Sequence, residues 1–235
     1  MSTPPDESGR DIPQRERRDV TMQLTKHAHA CVTLEKDGEH LVVDPGSFTP
    51  DAADLVSGTP TVLITHEHPD HFDDSVMASA IASRPDLHVF GPGSVVKRWS
   101  SGHERQVRAV KAGDTFRAAG MDVTVFGSLH AIVHPDIAQV ANVGYLIDGL
   151  VYHPGDAYHV PEASVDTLLL PTSGPWTKLA DAVEFVRAVA PRRVIQIHEL
   201  MLSDLGQRYF ANFLRPESLT KVALEIVPAG ETLTV

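Results

Sequence analysis

Cysteine is nearly missing from this sequence, in which Cys31 is the only one among 235 residues. A single thiol cannot form a disulfide within the chain, and it cannot build a cluster of thiolate metal ligands. Long apolar runs are missing too, since no stretch approaches the roughly 20 residues that a membrane span needs. The first 20 residues hold no apolar core of the kind found in signal peptides. We therefore expect a cytoplasmic protein that does not enter a membrane.

Positive charge is also scarce in this chain. It has 20 Lys and Arg against 31 Asp and Glu, which gives a formal net charge of −11. An acidic surface repels phosphate backbones, so we expect no nucleic-acid partner. Hydrophobic residues make up 42% of the sequence, which is enough for a substantial core and excludes a wholly disordered chain.

The sequence divides into a short polar segment and one α/β domain. Residues 1–20 are rich in Pro, Arg and acidic residues, which predicts a flexible N-terminal tail. Over residues 21–235, short strands alternate with helices in two similar halves, which predicts a single domain. This pattern gives the α/β class and suggests two mixed β-sheets packed together with helices outside.

Helices and closing strands are predicted from composition, apolar spacing and flanking Pro or Gly. The chain is predicted to end with a pair of strands near residues 222–227 and 232–235. The predicted helices cover Asp74–Ser83, about ten residues after Gly93, Thr177–Ala190, and about Ser203 to Phe213.

Histidine is abundant, with 13 in a chain that has only 14 Phe, Tyr and Trp residues. Four ligand-capable residues fall within six positions of one segment, Thr65-His66-Glu67-His68-Pro69-Asp70-His71-Phe72-Asp73, directly after an apolar strand. In extended backbone, residues i and i+2 point the same way, so His66 and His68 can face one cation. Pro69 then bends the chain, so that Asp70 and His71 can point to a second. Burying four such side chains without metal is costly, and the segment therefore predicts a metal site.

This segment resembles the signature of the metallo-β-lactamase superfamily, and the rest of the chain supplies the other expected positions. The resemblance covers about residues 21–235 and implies the four-layer αββα sandwich fold. Three further metal ligands are implied, each just after a strand: His130, Asp156 and His198. Asp44, in Val43-Asp44-Pro45-Gly46, resembles the family's early aspartate that supports the site from behind the ligands.

The resemblance implies a dinuclear hydrolase. One divalent ion would be held by His66, His68 and His130, and the other by Asp70, His71 and His198, with Asp156 bridging both. Such a pair generates hydroxide near neutral pH, and a metal-bridging hydroxide would act as the nucleophile. Zinc is the default for nitrogen and oxygen ligands, while manganese and iron are also tolerated. The catalytic residues are predicted to be Asp70, Asp156 and, as leaving-group proton donor, His159.

A finer match is to the small lactonase-like branch that includes ascorbate-6-phosphate lactonase. The stretch His29-Ala30-Cys31-Val32-Thr33-Leu34-Glu35 resembles its opening strand, although Ala28 replaces the usual Gly. Pro171-Thr172-Ser173-Gly174, followed by Trp176-Thr177 and a helix, also resembles this branch. We expect a small ester, lactone or phosphoester substrate that is anionic in character. The sequence leaves open whether the protein forms an oligomer.

Two alternatives to this function remain. One is a nuclease or phosphodiesterase of the ribonuclease Z type, and the other is a non-hydrolytic member with a redox or metal-binding role. The roles of His29, His134, His153 and His159 stay open, since each lies near the expected site and also fits plain packing or solvation. Trp176 is interpreted either as a wall of the pocket or as a core residue.

Overall fold

A computed structural model describes residues 21–235. The expected flexible tail, residues 1–20, lies outside the described residues. The strands are β1 Gln23–Lys26, β2 Val32–Lys36, β3 Glu39–Val43, β4 Thr61–Leu63, β5 His88–Gly91, β6 Val107–Ala109, β7 Thr115–Ala118, β8 Met121–Phe126, β9 Gly144–Ile147, β10 Val151–His153, β11 Thr167–Pro171, β12 Arg193–Ile197, β13 Leu224–Glu225 and β14 Thr232–Thr234. The helices are α1 Ala52–Gly58, α2 Asp74–Ser83, α3 Gly93–Val96, α4 Leu179–Val189 and α5 Asp204–Ala211.

The strands form two seven-stranded sheets with matching topology. The first has the order β14-β1-β2-β3-β4-β5-β6, and the second has the order β13-β12-β11-β10-β9-β8-β7. In each sheet one half is antiparallel and the other is parallel, with β3 to β6 and β10 to β13 as the parallel halves. Parallel strands direct their carboxyl ends to one edge, so residues that follow them can meet there.

Alternating side chains on single strands explain the layers. In β4, Leu63 packs into the cluster between the sheets, while the neighbouring Val62 and Ile64 pack with Met77 and Ile81 of α2. In β11, Leu169 faces the inter-sheet core and its neighbours Leu168 and Leu170 pack with α4. Strands buried on both faces in this way need helices on the outside. The predicted four-layer αββα sandwich is thus confirmed.

The end of the chain differs from the sequence prediction. The last two strands do not pair with each other: β13 pairs with β12 in the second sheet, whereas β14 pairs with β1 in the first. The residues between them connect the two sheets, and Val227 packs into the inter-sheet core. Two strands that enter different sheets look the same in sequence as a hairpin, because both show only short apolar runs.

The helix predicted after Gly93 is also shorter than expected. It covers only Gly93–Val96, and the chain then turns through residues 97–99. Ser100 and Ser101 offer no apolar side chain to extend the buried face, and Gly102 has a φ of 81°, which ends helical geometry. Over residues 21–235, none of the helices has the length and apolar character needed to cross a membrane.

Candidate metal centre

The predicted ligands come together at the edge where the strands end. Asp44 follows β3, His66 follows β4, and His198 comes directly after β12. His130 lies four residues after β8, and Asp156 lies three after β10. A backbone bridge between His66 and Asn142 joins the two sheets at this edge. The side chains form two adjoining clusters, with ligand atoms inside each lying within 4.8 Å of one another.

The first cluster consists of His66, His68, His130 and Asp156. His66 Nε2 lies 3.0 Å from His68 Nδ1. His130 Nε2 lies 3.4 Å from Asp156 Oδ2, and His66 Nε2 lies 4.0 Å from the same oxygen. Three imidazole nitrogens and one carboxylate oxygen therefore face a common point, with His68 using its Nδ1 atom.

The second cluster contains the predicted Asp70, His71 and His198, together with His29. Asp70 Oδ2 lies 3.1 Å from His29 Nε2, 3.4 Å from His198 Nε2 and 3.9 Å from His71 Nε2. Asp156 joins the two clusters. Its Oδ1 is 3.2 Å from His71 Nε2, and its Oδ2 is 3.1 Å from His198 Nε2.

The chemistry of these donors fits divalent metal ions. Zinc bonds of 2.0–2.1 Å place neighbouring tetrahedral ligands about 3.3 Å apart, close to the spacing between these nitrogens and oxygens. Buried polar atoms are expected to have hydrogen-bond partners. His71 Nε2, His198 Nε2 and Asp156 Oδ1 are buried and have none, although each faces a cluster. A cation at each cluster would satisfy these atoms.

Asp44 orients ligands of both clusters. Its Oδ2 accepts a hydrogen bond from His71 Nδ1 at 2.7 Å, which turns His71 Nε2 towards the metal site. The same oxygen accepts one from the Thr65 hydroxyl at 2.7 Å, and Thr65 Oγ1 lies 3.0 Å from His66 Nδ1. Because the Thr65 proton is used by Asp44, Thr65 accepts from His66. Hydrogen bonds of this kind fix the tautomer of a ligating imidazole.

Electrostatics keep the two carboxylates of the centre ionised. Burial would raise the pKa of Asp156, but His71, His198 and His130 outweigh it and hold that pKa well below its usual range. Burial also opposes ionisation of Asp70, but the neighbouring imidazoles of His198 and His29 lower its pKa. Ionised carboxylates beside imidazoles that release their protons on metal binding suit a pair of cations.

The backbone at the centre is held in an uncommon conformation. His29, Asp44 and His198 all have positive φ, at 60°, 51° and 55°. A left-handed conformation is uncommon in residues other than glycine and costs free energy. The turns are held by neighbouring contacts, since the His198 amide donates to the His29 carbonyl at 2.9 Å. Three such residues in one centre indicate that directing their side chains towards the metal site costs some local stability.

Three residues have larger roles here than the sequence prediction gave them. His29 is fully buried and packs against His198, with ring centroids 3.7 Å apart and the rings tilted by 43°. Trp176 donates its indole N–H to Asp156 Oδ2 at 3.1 Å. Asn142 accepts from the Asp156 amide at 3.0 Å and donates to the Pro154 carbonyl at 2.9 Å. His29 and Trp176 had a signal in the resemblance to the lactonase-like branch, whereas Asn142 had none.

The remaining histidines separate by burial. His153 is fully buried, donates from Nε2 to the Ala30 carbonyl at 2.8 Å, and accepts the Gly155 amide at Nδ1. Because both its nitrogens are used inside the protein, the open question about His153 is answered in favour of packing. His134 and His159 are exposed. The ring of His159 packs over Gly127, just past the end of β8, and the His134 Nδ1 atom accepts the Asp136 amide.

An αββα sandwich that carries two His/Asp clusters where its strands end defines a metal-dependent hydrolase of the metallo-β-lactamase fold. Residues 23–198 match the family described as "Beta-lactamase superfamily domain". The chain therefore belongs to the metallo-β-lactamase superfamily, as the sequence predicted.

The chain is also similar to named proteins over most of its length. The chain is similar to Protein Rv0786c of Mycobacterium tuberculosis, with 32% identity over 219 residues, 91% of this chain and all of that protein. It is 25% identical to a UPF0173 metal-dependent hydrolase of Pyrobaculum arsenaticum over 90% of this chain and 99% of that one. The fold is shared with Igni18, a metallo hydrolase from Ignicoccus hospitalis, with a TM-score of 0.70 and 24% identity over 92% of this chain and 98% of that one.

Proposed function

We propose that this protein is a dinuclear hydrolase that uses two divalent metal ions to activate water against a small ester, lactone or phosphoester. The position of Asp156 carries the proposal, because its two oxygens face ligand nitrogens of both clusters. A carboxylate between two cations lowers their mutual repulsion and allows them to lie close together.

The ligand sets follow from the two clusters. His66, His68 and His130 would hold one ion, and Asp70, His71 and His198 the other, with Asp156 shared. We add His29 to the second set, since its Nε2 lies as close to Asp70 Oδ2 as the predicted ligands do. When bound, such ions lower the pKa of water towards neutrality and stabilise negative charge on the substrate. Zinc is our first choice, with manganese or iron as alternatives.

Protein groups would position the reacting atoms and move protons. Asp70 is 16% exposed, whereas the side chains of His29 and His71 are fully buried. Its carboxylate is therefore the accessible one at the second cluster, and we propose that it orients the attacking water. His159 is exposed on the loop that carries Asp156, and we propose that it donates the leaving-group proton.

The substrate is proposed to be a small molecule whose reacting group carries or develops negative charge. Local cations dominate over the acidic surface at contact distance, so they would attract a phosphate or carboxylate. The longest loops that border the centre are residues 127–143 and 154–166, and loops of this size suit a metabolite better than a polymer. The lactonase-like branch is the part of the superfamily we favour, from the sequence around His29 and Trp176.

Turnover of a substrate panel tests this function. Metal-loaded protein is offered lactones, thioesters, phosphodiesters and a structured RNA. Asp70→Ala serves as the inactive variant, and Asp54→Ala, an exposed acidic residue of α1, serves as the matched control. We expect turnover of at least one small compound by the wild type and by Asp54→Ala, and none by Asp70→Ala.

Two outcomes would contradict the proposal. RNA cleaved far faster than every small compound would favour the ribonuclease Z type of activity. No turnover of any compound by fully metal-loaded protein would favour a binding or redox role.

A further inference from the structure

The exposed large apolar side chains of this protein concentrate around the metal centre. Eleven such side chains are exposed among the described residues. Single exposed apolar residues are normal on a protein surface, so only their grouping carries information. Six of them lie within three residues of a candidate ligand in sequence, contact one, or line a cavity with one. We name these six the apolar collar: Phe48, Leu129, Ile132, Ile137, Leu200 and Met201.

One side of the collar belongs to the loop that follows His130. The two ends of this loop lie side by side, because the His130 amide donates to the Val140 carbonyl at 3.0 Å and Leu129 forms a backbone bridge with Ala141. Two isoleucines of this loop are exposed to solvent, Ile132 at 61% and Ile137 at 57%. Ile137 also lines a small cavity together with His68 and His130. Apolar surface therefore begins directly beside the first cluster.

The other side of the collar adjoins the second cluster. The Phe48 ring packs edge-on against His29, with centroids 5.1 Å apart, and is 43% exposed. Leu200 and Met201 follow His198 within the turn that precedes α5, and both are about half exposed. Both clusters thus have exposed apolar side chains on the loops that hold them.

Cationic side chains are almost missing from the same loops. Lys178 is the only Lys or Arg in the segments that border the centre, which are residues 27–31, 45–51, 66–73, 128–141, 156–164, 172–178 and 198–203. They contain several acidic residues, among them Glu67, Asp136 and Glu162. An anionic group held away from the metals would find repulsion there, whereas an uncharged hydrocarbon would find partners.

We propose that the substrate carries an uncharged alkyl or acyl arm that lies on the apolar collar while its scissile group faces the metal centre. This inference rests on the proposed function, and it narrows the substrate to amphiphilic esters, thioesters or phosphoesters. Each methylene removed from water strengthens binding by about two- to fourfold, so an arm of several carbons governs which substrate is chosen.

Binding of n-alkyl hydroxamic acids tests the collar without requiring turnover. Zinc-loaded protein is titrated with acetohydroxamic, hexanohydroxamic and octanohydroxamic acid by calorimetry, since the hydroxamate group binds metal and the chain length varies. We expect the affinity to rise at least tenfold from two to eight carbons. The double variant Ile132→Ser/Ile137→Ser should lose most of that rise and keep the wild-type affinity for acetohydroxamic acid.

A matched control uses two exposed apolar residues that lie outside the collar. Leu219→Ser/Ile226→Ser removes the same kind of side chain, at 40% exposure each, and should keep the wild-type dependence on chain length. Equal affinities for the three acids in wild-type protein would overturn the proposal. So would an Ile132→Ser/Ile137→Ser variant that turns a wild-type dimer into a monomer without changing hydroxamate binding, because the collar would then be an interface between two copies.

Ester hydrolysis separates this inference from the proposed function. With p-nitrophenyl esters of two to eight carbons, we expect kcat/KM to rise with chain length in the wild type and in the Leu219→Ser/Ile226→Ser control. Hydrolysis that is equally fast for all chain lengths would overturn the collar and keep the hydrolase. Hydroxamate affinity that rises with chain length, without turnover of any panel compound, would overturn the hydrolase and keep the collar.

Discussion

At the scale of single residues, His29 is the group whose role changed most between sequence and structure. Its Nε2 lies 3.1 Å from Asp70 Oδ2, which fits either a hydrogen bond to that ligand or a shared metal ion. The difference can be measured, because a glutamine amide can replace the hydrogen bond but binds zinc poorly.

The first prediction is that His29 acts as a ligand of the second metal. His29→Gln should reduce bound zinc from two ions per chain towards one, as should His198→Ala. His130→Ala should weaken the first site, and Asp156→Ala should weaken both. Zinc content is measured by elemental analysis after dialysis against a weak chelator, and imidazole ligands are counted by X-ray absorption. Two ions with unchanged affinity in His29→Gln would leave His29 as a hydrogen-bond donor to Asp70 only.

Asp44 gives the second prediction. Its carboxylate is fully buried and receives hydrogen bonds from the Thr65 amide and hydroxyl and from His71. Asp44→Ala should lower metal affinity by about 10- to 100-fold while the far-ultraviolet spectrum stays that of the folded protein. The matched control is Asp37→Ala, which also changes an aspartate with positive φ but lies in an exposed turn. Equal metal affinities in the two variants would reduce Asp44 to a turn residue.

The third prediction follows from competition between protons and metal at His198. Burial would lower the pKa of this imidazole, but Asp156 and Asp70 raise it to about 9. In the unfolded chain a histidine has a pKa of about 6.5. Protonation therefore stabilises the metal-free fold fully below about pH 6.5, and this stability is lost as the pH rises through about 9. The Tm of metal-free protein should fall over this range.

Metal affinity should change in the opposite direction, because a zinc ion needs the neutral imidazole and releases its proton. Competition with a chelator at several pH values measures this. His198→Gln should reduce the pH dependence of the Tm, although His71, whose pKa is also raised by Asp156 and Asp44, keeps part of it. A Tm of the metal-free wild type that is constant from pH 6.5 to 9 would contradict the assignment.

At the scale of elements, the loop after β3, which carries Asp44, packs against the ligand-bearing loop after β4 at a glycine. A Cβ added at Gly46 would overlap the backbone carbonyl of Asp70 and crowd the His71 amide. The same contact is continued by Ser47, whose amide donates to the Pro69 carbonyl at 2.8 Å. The Asp44-Pro45-Gly46 turn therefore packs directly against the backbone of Asp70 and His71 and fixes its position.

The fourth prediction is that Gly46→Ala damages the second metal site. We expect a loss of about 1–3 kcal/mol of stability, because the loop must move away from Asp70, and a larger loss of affinity at the second site than at the first. Gly58→Ala is the control, since its Cβ would meet nothing within 4 Å and its φ is not positive. Denaturant unfolding and zinc titration measure both variants. Equal behaviour of the two alanine variants would show that the loops are not in close contact.

The same scale shows how much could be predicted from the sequence. Four of the seven candidate ligands lie in one segment after a strand, and the resemblance to the superfamily implied the other three; the structure brings all seven together. Asn142 could not be predicted, since it joins His66 of one sheet to Asp156 of the other, and neither neighbour in sequence signals that contact. For the same reason β13 and β14 were expected to pair, whereas sheet membership depends on partners about 30 and 200 residues away.

At the scale of the whole molecule, metal binding and folding should be coupled. The ligands come from five separate segments of both sheets, so an unfolded chain cannot present them together. An ion that binds only the folded state stabilises it by an amount that grows with its free concentration. The inter-sheet core and the metal centre therefore stabilise the same packing of one sheet on the other.

Cys31 provides a probe of that coupling and gives the last prediction. The thiol is fully buried in the turn that leads from His29 into β2, and burial raises its pKa well above the usual range. A thiol reagent such as DTNB attacks the thiolate of an accessible cysteine, so the folded protein should react far more slowly than the denatured chain. Zinc at 100 times its dissociation constant should slow the labelling about 100-fold further, because labelling then requires the site to open. His29→Gln protein should lose most of this protection while still reacting slowly when metal-free. Labelling of the wild type at the denatured rate would show that this edge of the sandwich is open without unfolding.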